Sequence, residues 1–497
     1  MRRLWILLLV CGCGRAEIYP HPTRPRSVFD AGPMVPDASI ADAGSPDAGP
    51  QCVPTAPACA FPSPPQSFSC IPGLRVLSSG VDGFGNFRYL LAFRQPLDHD
   101  NPNGPGFEQR LSLRHVSSAS PMVLLATGYE LYPTRDELTD LFVANELSVE
   151  HRYFGSSAAD GGPSDFAHLD IRQASLDLHR IRAAFASLYP KPWVSTGASK
   201  GGMTMVYYRR FFPCDVVGTV AYVAPHSGRE GDPRYNSFLS QVGGAARLDC
   251  RARLENLTRQ LLQKRDLLTA SFDDAGYGIL GSVDVAFEVS VLDFEFGFWQ
   301  YVDPDDPNFG CKGLPTGTIS DSELRAWALD IHGNDDESIR PYTAYYYQAA
   351  TQLGDPASYD PPFAGLIRYP GKDSARAFLD KSIAVPAFDP APMADIQGWL
   401  ATEGASLIFV YGELDPWTAG QFDIGQALDT LKAFAPGKNH HADIRDLSLN
   451  ERMAAIAKLE RWLGAKVKPG AMFRAPGRAM EEPEHRRLPR AARSYPP

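Results

Sequence analysis

The segment with the clearest chemical potential is residues 197–202, Gly-Ala-Ser-Lys-Gly-Gly, which has the Gly-x-Ser-x-Gly form. This form can place Ser199 on a sharp turn between a strand and a helix, so that the hydroxyl projects toward a substrate and can attack a carbonyl carbon. Small residues on both sides of Ser199 would let the strand and the helix approach closely. The same short pattern also occurs in turns of unrelated proteins. The interpretation therefore depends on an acid and a base elsewhere in the chain.

Two candidate partners for this serine follow in the order acid, then base. Asp415 comes directly after an apolar stretch at 407–411 that is typical of a buried strand, although an aspartate before a proline is also a common turn residue. His440 and His441 are adjacent in the next loop, where a solvated surface pair is the alternative interpretation. The order Ser, Asp, His is that of the α/β-hydrolase triad. The three predictions therefore support one another.

The residue types define the chemistry that such a triad performs. A neutral serine is a weak nucleophile, so a histidine with a pKa near ~6.5 must accept its proton during the attack. The carboxylate of Asp415 would hold the imidazole in the useful tautomer and stabilise the imidazolium ion. Two N–H donors must stabilise the developing oxyanion, and we expect them to be the backbone amides of Lys200 and Tyr129. The pattern assigns no role to the side chain of Lys200.

The elements around these residues predict an α/β fold with a mostly parallel sheet. Alternating or continuous apolar stretches predict strands at 87–93, 110–116, 121–126, 147–150, 192–196, 217–223 and 406–411. Helices are predicted at 171–189 and 203–212, between these strands. Strands that alternate with helices are typical of parallel sheets. The fold class is therefore the α/β-hydrolase fold, with its first part at 73–227 and its second part at 396–467.

Residues 228–395 interrupt this alternation. Amphipathic patterns at 251–271, 321–330 and 341–353 predict helices, separated by loops rich in aromatic residues. A helical block between two strands of one sheet favours a cap over the carboxyl edge of that sheet, where ligands bind in such folds.

The two ends of the chain have a different composition. Residues 1–13 carry two arginines, a short apolar stretch and a Val-x-Gly-Cys sequence that resembles a bacterial lipobox, with Cys13 as the lipid attachment residue. An ordinary signal peptide is the alternative. Residues 14–72 are rich in Pro, Ala and Asp and predict a disordered tether, and residues 468–497 predict a disordered tail. The expected location is outside the cytoplasm, either anchored to a membrane through the lipid or secreted.

Charge and cysteine content argue against nucleic-acid binding and metal binding, and they favour disulfides. The 497-residue chain has a formal net charge of -10, which argues against a nucleic-acid partner. Six cysteines remain beyond residue 13, an even number typical of disulfides in exported proteins. Cys250 and Cys311 form the favoured pair because both fall in the predicted cap. The cysteine and histidine spacing predicts no metal site, and no cofactor is expected.

Three segments resemble one known family, the secreted bacterial prolyl tri/tetrapeptidyl aminopeptidases, which are related to lysosomal prolyl carboxypeptidase. They are residues 195–204, 218–225 and 95–99. The stretch Asp415-Pro416-Trp417 and the pair at 440–441 are similar to the acid and base motifs of this wider group. The resemblance implies that His440 is the base, and that the enzyme releases short peptides after proline from a free N-terminus. Ala198 stands where the family pattern has glycine.

A substrate of this kind needs a carboxylate for its ammonium group and a pocket for its proline ring. Glu150 is the candidate carboxylate, although pairing with Arg152 is an equally good structural interpretation. Trp417, Trp299 and Tyr301 are candidates for stacking on the ring, with a place in the cap core as the alternative. A carboxylesterase or lipase, and a peptide-binding lipoprotein without activity, remain alternative functions. The sequence leaves the oligomeric state open.

Overall fold

The computed structural model describes residues 64–83, 85–132, 135–158, 166–270, 272 and 276–471. The predicted signal peptide, Cys13 and most of the predicted tether lie outside the described residues, as does most of the predicted tail. None of the helices in the described part is long and apolar enough to cross a bilayer.

A nine-stranded sheet in the order β1-β2-β3-β5-β4-β6-β7-β8-β9 forms the centre of the described chain. The strands from β5 to β9 in this order are parallel to one another, whereas β1, β2 and β3 pair antiparallel at one side. Their bounds are β1 Leu74–Val81, β2 Phe87–Pro96, β3 Gly106–His115, β4 Met122–Ala126, β5 Asn145–Val149, β6 Trp193–Ala198, β7 Gly218–Tyr222, β8 Leu407–Gly412 and β9 Leu431–Ala435.

The central strands form where the sequence is continuously apolar. Every residue of β4, β5, β7 and β8 is buried, as expected for parallel strands that are covered on both faces. The predicted α/β-hydrolase fold is confirmed. The sequence patterns missed β1, which is almost wholly exposed, and β9, a short and half-buried edge strand.

Twelve α-helices accompany the sheet in the described part of the chain. They are α1 Glu137–Phe142, α2 Ile171–Phe185, α3 Lys200–Phe211, α4 Arg234–Leu239, α5 Leu248–Gln263, α6 Arg265–Thr269, α7 Val283–Tyr301, α8 Asp321–Ile331, α9 Asp336–Ile339, α10 Thr343–Gln348, α11 Ala391–Thr402 and α12 Leu449–Leu463. Helices α4 to α10 lie between β7 and β8 in the chain and make up the cap.

The longest cap helix, α7, is absent from the sequence prediction. Seventeen of its nineteen residues are buried, and only two residues of the helix lie outside the buried class. Such a helix has no exposed polar face, so the periodic pattern that identifies surface helices is missing. Its side chains contribute to two separate apolar clusters of the cap. Helix α7 is therefore the central support of the cap.

Three predicted boundaries differ from the structure. Residues 66–70 form a 3-10 helix in which Phe68 is buried, so folded structure begins before residue 73. Helix α11 crosses the predicted cap boundary at 395 and contributes Ile396 to the same apolar cluster as Phe409 of β8. At the other end, the Lys468 amide donates to the Leu141 carbonyl at 2.7 Å, so the first residues of the predicted tail are ordered.

A disulfide joins Cys250 on α5 to Cys311, which begins a short 3-10 turn in the cap, with a Cα–Cα distance of 5.0 Å. The predicted pair is confirmed. Cys70 and Cys214 are also disulfide-bonded.

Candidate active site

Ser199 lies between β6 and α3 in a conformation that is unusual for a residue with a side chain. Its φ is 53° and its ψ is -125°. Such a conformation costs roughly 1–3 kcal/mol and persists only where its surroundings enforce it. The Ser199 amide donates to the Tyr222 carbonyl of β7 at 2.9 Å, which holds the turn from one side. The predicted strand, turn and helix are therefore present.

The glycines around Ser199 are required by close backbone contacts. A Cβ atom on Gly201 would collide with the Ala126 carbonyl oxygen of β4. A Cβ on Gly197 would lie 2.5 Å from the carbonyl carbon of Gly201, and one on Gly202 would lie 2.9 Å from the Ala224 Cβ. Helix α3 thus begins in direct contact with the neighbouring strands, which fixes the position of Ser199.

The acid follows the carboxyl end of β8. Asp415 has no exposed surface, and its Oδ1 accepts a hydrogen bond from the Trp417 amide at 3.1 Å. Its Oδ2 lies 2.8 Å from Nδ1 of His440. A buried carboxylate held in this way fixes the ring orientation and keeps a proton on Nδ1. Nε2 of His440 is then the proton acceptor.

The base lies in the loop between β9 and α12. The amide of His440 donates to the Gln300 carbonyl of cap helix α7 at 3.1 Å, and the ring of Tyr301 packs edge-on against the imidazole at 6.2 Å. The neighbouring His441 is exposed, and its ring centroid lies 6.0 Å from that of Tyr301. Of the two adjacent histidines, the structure places His440 against Asp415.

The predicted oxyanion hole is formed by two backbone segments in contact. Gly128 follows β4 with a φ of 77°, and a Cβ there would lie 2.8 Å from the carbonyl carbon of Lys200 and would collide with the Gly201 amide nitrogen. Lys200 is the first residue of α3, so its amide has no partner within the helix. The Tyr129 amide donates to no acceptor in the described part of the chain. Both predicted donors are thus available beside Ser199.

The side chain of Lys200 fastens these two segments together, a role that the sequence did not reveal. The lysine is 2% exposed, and its Nζ donates to the Gly128 carbonyl at 2.9 Å. The rings of Tyr129 and Phe154 flank the ammonium at 5.8 Å and 5.2 Å. Burial lowers the pKa of Lys200 well below its ordinary value. Its main role here is to hold the loop that carries the second oxyanion donor.

Glu150 does not have the predicted role. The carboxylate is 4% exposed, and its Oε2 accepts a hydrogen bond from the Leu131 amide at 2.6 Å. Its Oε1 accepts bonds from the amide and the hydroxyl of Ser157, each at 2.7 Å. The alternative partner Arg152 instead pairs with Asp177 at 2.7 Å. Glu150 therefore organises two loops behind the site and offers no carboxylate to a substrate.

The three predicted aromatic residues separate into two groups. Trp417 lies 6.5 Å from the His440 ring, and Tyr301 packs against the same imidazole, so both line the catalytic site. Trp299 is 1% exposed and belongs to an apolar cluster of the cap, in contact with Phe298. Trp299 is therefore a core residue of the cap, which was the alternative interpretation, and it does not stack on the proline ring of a substrate.

The arrangement supports acyl transfer. The serine turn, the Gly128 loop and Asp415 follow β6, β4 and β8, whose carboxyl ends meet at one edge of the sheet. In the described residues, no group of three or more His, Cys, Asp or Glu side chains forms a metal site. These positions suit the predicted roles of Ser199 as nucleophile, His440 as base, and the Lys200 and Tyr129 amides as oxyanion donors.

Comparison with known proteins agrees with this chemistry. A family model described as PS-10 peptidase S37 matches residues 66–483. The chain is 38% identical over 410 residues to the prolyl tri/tetrapeptidyl aminopeptidase of Streptomyces mobaraensis. This alignment covers 79% of this chain and 83% of that protein. It is 24% identical over 386 residues to the Arabidopsis thaliana protein named "Probable serine protease EDA2", covering 66% of this chain and 75% of that protein.

Among solved structures, the crystal structure of proline iminopeptidase from Mycobacterium smegmatis is similar, with 12% sequence identity and a TM-score of 0.36. The match covers 74% of this chain and 96% of that protein's chain. The family model covers most of the sequence and includes Ser199, Asp415 and His440. The chain therefore belongs to the PS-10 peptidase S37 family and is a serine peptidase.

Proposed function

We propose that the protein is an exopeptidase that releases tripeptides and tetrapeptides ending in proline from the free N-terminus of peptides. The observation that carries this proposal is the hydrogen-bonded pair of Asp415 and His440 at the sheet edge where Ser199 projects from its turn. The name and the 38% identity of the Streptomyces relative supply the substrate class.

The reaction proceeds through an acyl-enzyme. Ser199 Oγ bonds to the carbonyl carbon of the proline residue while His440 Nε2 takes the hydroxyl proton. The amides of Lys200 and Tyr129 stabilise the oxyanion, and the protonated His440 then gives its proton to the departing amine. A water molecule, deprotonated by His440, attacks the acyl carbon. The released peptide leaves with a proline carboxylate, and Ser199 regains its proton.

The aromatic residues beside the base are suited to a proline ring. Trp417 and Tyr301 both lie beside His440, with ring centroids 6.5 Å and 6.2 Å from its imidazole, and the imidazole side chain is only 9% exposed. A rigid ring packs well on aromatic faces, and the buried position limits the access of water to the acyl-enzyme until the amine leaves.

Hydrolysis of Ala-Ala-Pro-p-nitroanilide tests the proposed function. We expect the wild type to release p-nitroaniline, and both Ser199→Ala and His440→Ala to lose roughly 10⁴-fold or more in kcat. His441→Ala is the matched control, since it removes the adjacent histidine without touching Asp415, and it should keep most of the activity. An inactive His441→Ala with an active His440→Ala would contradict the assignment of the base.

Two outcomes would replace the proposal. A wild type that is inert toward every proline peptide but cleaves p-nitrophenyl esters through Ser199 would be a carboxylesterase or lipase. Failure of a fluorophosphonate probe to label Ser199 in the folded wild type would favour a peptide-binding protein without activity.

We also propose that the protein works outside the cytoplasm, attached to a membrane through a lipid on Cys13. The lipobox-like sequence that ends at Cys13 supports this location, as does the Cys250–Cys311 disulfide, since disulfides persist in oxidising compartments. Cells fed an alkyne-labelled fatty acid should label the wild type, while Cys13→Ser should carry no label. Equal labelling of the two would contradict the anchor.

A further inference from the structure

The C-terminal end of cap helix α7 is part of the catalytic site. The Gln300 carbonyl accepts the His440 amide, and the next residue, Tyr301, packs against the imidazole. Phe296, one turn earlier, packs edge-on against Trp417 at 5.1 Å. A side chain on this face of α7 is therefore placed to meet the part of a substrate that extends from the scissile bond into the cap.

Asp293 lies on the same face, further from the base. It stands three residues before Phe296 and four after Val289, which is buried in a cap cluster, so it lies between that cluster and the Trp417 side. Asp293 is 7% exposed, and its Oδ2 has no hydrogen-bond partner in the described part of the chain. A buried carboxylate oxygen without a partner is costly and requires an explanation.

Among the described residues, no cationic side chain forms an ion pair with Asp293, and Asn334 is its hydrogen-bonding neighbour. Burial, together with the nearby carboxyl of Asp373, raises the pKa of Asp293 well above its ordinary value. A ligand that brings a positive charge with N–H donors would provide what this carboxylate lacks.

Two residues next to His440 also carry buried polar atoms that have no hydrogen-bond partner in the described part of the chain. Gln300 is 2% exposed and its Oε1 lacks a partner, and Trp417 is 5% exposed and its Nε1 lacks a partner. A peptide backbone offers N–H donors and C=O acceptors along its length, so it complements the acceptor on Gln300 and the donor on Trp417. Asp293 and Gln300 lie seven residues apart on α7, and Trp417 packs against Phe296 of the same helix, so three groups with the polarity that a bound peptide requires belong to α7 or to its immediate neighbour.

The distances agree with the length of a short peptide. Asp293 precedes Tyr301 by eight residues, which is about 12 Å along an α-helix. An extended tripeptide spans about 10 Å and an extended tetrapeptide about 13 Å. An ammonium group at Asp293 would therefore place the third or fourth carbonyl of the peptide near the catalytic histidine.

We infer that Asp293 binds the N-terminal ammonium of the substrate and, through its distance from Ser199, sets the length of the peptide released. Gln300 and Trp417 bind the intervening backbone. This inference rests on the proposed exopeptidase function and gives it the carboxylate that Glu150 does not supply.

The test compares Asp293→Asn with a matched control on the same helix. Glu295 is also buried, at 2% exposure, and also carries an unpartnered oxygen, but it faces Thr258 and Arg259 on the opposite side of α7. Glu295→Gln therefore reproduces the charge change and the burial without touching the proposed subsite. Labelling of Ser199 by a fluorophosphonate, which has no ammonium group, reports whether each variant has an intact catalytic site.

For Ala-Ala-Pro-p-nitroanilide, we expect Asp293→Asn to lower kcat/KM by about 30-fold or more, and Glu295→Gln by less than about threefold. With the N-acetylated form of the same substrate, Asp293→Asn and the wild type should agree within about threefold, since there is no ammonium to bind. With Pro-p-nitroanilide, whose ammonium cannot reach Asp293, the variant should also match the wild type. If Asp293→Asn fails to label with fluorophosphonate, Asp293→Ser is measured in its place.

Equal losses on the free and acetylated substrates, or an equal loss in Glu295→Gln, would overturn the role of Asp293 while leaving the exopeptidase function intact. A wild type that cleaves no proline peptide of any length would instead overturn the proposed function, and the inference with it.

Discussion

At the scale of single residues, Lys200 serves the same reaction in two ways. Its backbone amide begins α3 and is one predicted oxyanion donor, while its side chain crosses to the Gly128 carbonyl and holds the loop that carries the other predicted donor. The oxyanion hole therefore depends on one residue for both its halves. Sequence reasoning found the backbone role from the motif, but the side-chain role depends on a contact across 72 positions of the chain.

Lys200→Met should leave the backbone donor in place and release the Gly128 loop. We expect kcat for Ala-Ala-Pro-p-nitroanilide to fall by roughly 10- to 100-fold, less than the full loss of one oxyanion donor, with KM changed by less than about threefold. Steady-state kinetics measure both parameters. Lys191→Met, at an exposed lysine, is the control. A change confined to KM would contradict a role in the oxyanion hole.

Residue types and chain order were enough to predict the Asp415–His440 pair and the strand-to-helix turn at Ser199, because acid, base and nucleophile must follow particular strands of the sheet. Residue type and chain order were not enough for Glu150, which was the candidate carboxylate for the substrate ammonium. The Leu131 amide and Ser157 occupy both its oxygens, and no local pattern indicates that those loops fold over it.

At the scale of elements, the sequence predicted the helices whose apolar residues recur with the helical period and the strands whose residues are continuously apolar. The buried central strands and the amphipathic helices α2 and α5 belong to this class. Helix α7 does not belong to this class. Almost all of its residues are buried, so it has no exposed face on which polar residues would recur with the helical period. The missed helix is also the one that carries Asp293 and Gln300, so the substrate side of the site was less predictable than its catalytic side.

The contact between α3 and β4 should make Gly201→Ala strongly destabilising. The new methyl group would collide with the Ala126 carbonyl, which is fixed in the central sheet. We expect a loss of about 3 kcal/mol or more in the free energy of unfolding, together with loss of activity, since Ser199 must shift. Gly80→Ala is the control, because no atom lies within 4 Å of its added Cβ. Equal denaturation midpoints for the two variants would contradict this account.

At the scale of the whole molecule, the cap is held by its own covalent link as well as by its core. The Cys250–Cys311 disulfide spans 61 residues of sequence. Closing a loop of this length stabilises a fold by about 4 kcal/mol through the entropy of the unfolded chain. The Cys250→Ser/Cys311→Ser double variant should therefore lose roughly this amount in urea unfolding. An unchanged midpoint would show that the cap core alone fixes its geometry.

The stability of the molecule should also depend on pH through Glu137. Its Oε1 accepts hydrogen bonds from the Tyr222 hydroxyl at 2.6 Å and the Ile444 amide at 2.7 Å. Burial, together with Asp443, raises its pKa from 4.5 to about 8, although Arg445 opposes this shift. Because the pKa of Glu137 is higher in the folded state than in the unfolded state, protonated Glu137 stabilises the fold. This stabilisation is complete below about pH 4.5 and is lost as pH rises through about 8.

Glu137→Gln keeps an acceptor oxygen but cannot ionise, so it should remove this part of the pH dependence. We expect the wild type to lose on the order of a few kcal/mol more than the variant between pH 5 and pH 9 in urea unfolding. Glu403→Gln, at an exposed glutamate, is the control and should follow the wild type. Parallel pH profiles for wild type and Glu137→Gln would contradict the assignment.

The bond from the His440 amide to the Gln300 carbonyl makes the cap part of the support of the catalytic base. A cap that swung away from the sheet to admit a large substrate would break this bond and remove Tyr301 from the imidazole. With the cap open, His440 would lose the contacts that position it. A narrow, extended peptide terminus is the kind of substrate that could bind while the cap stays closed. The same contact thus makes the position of the base depend on the position of the cap.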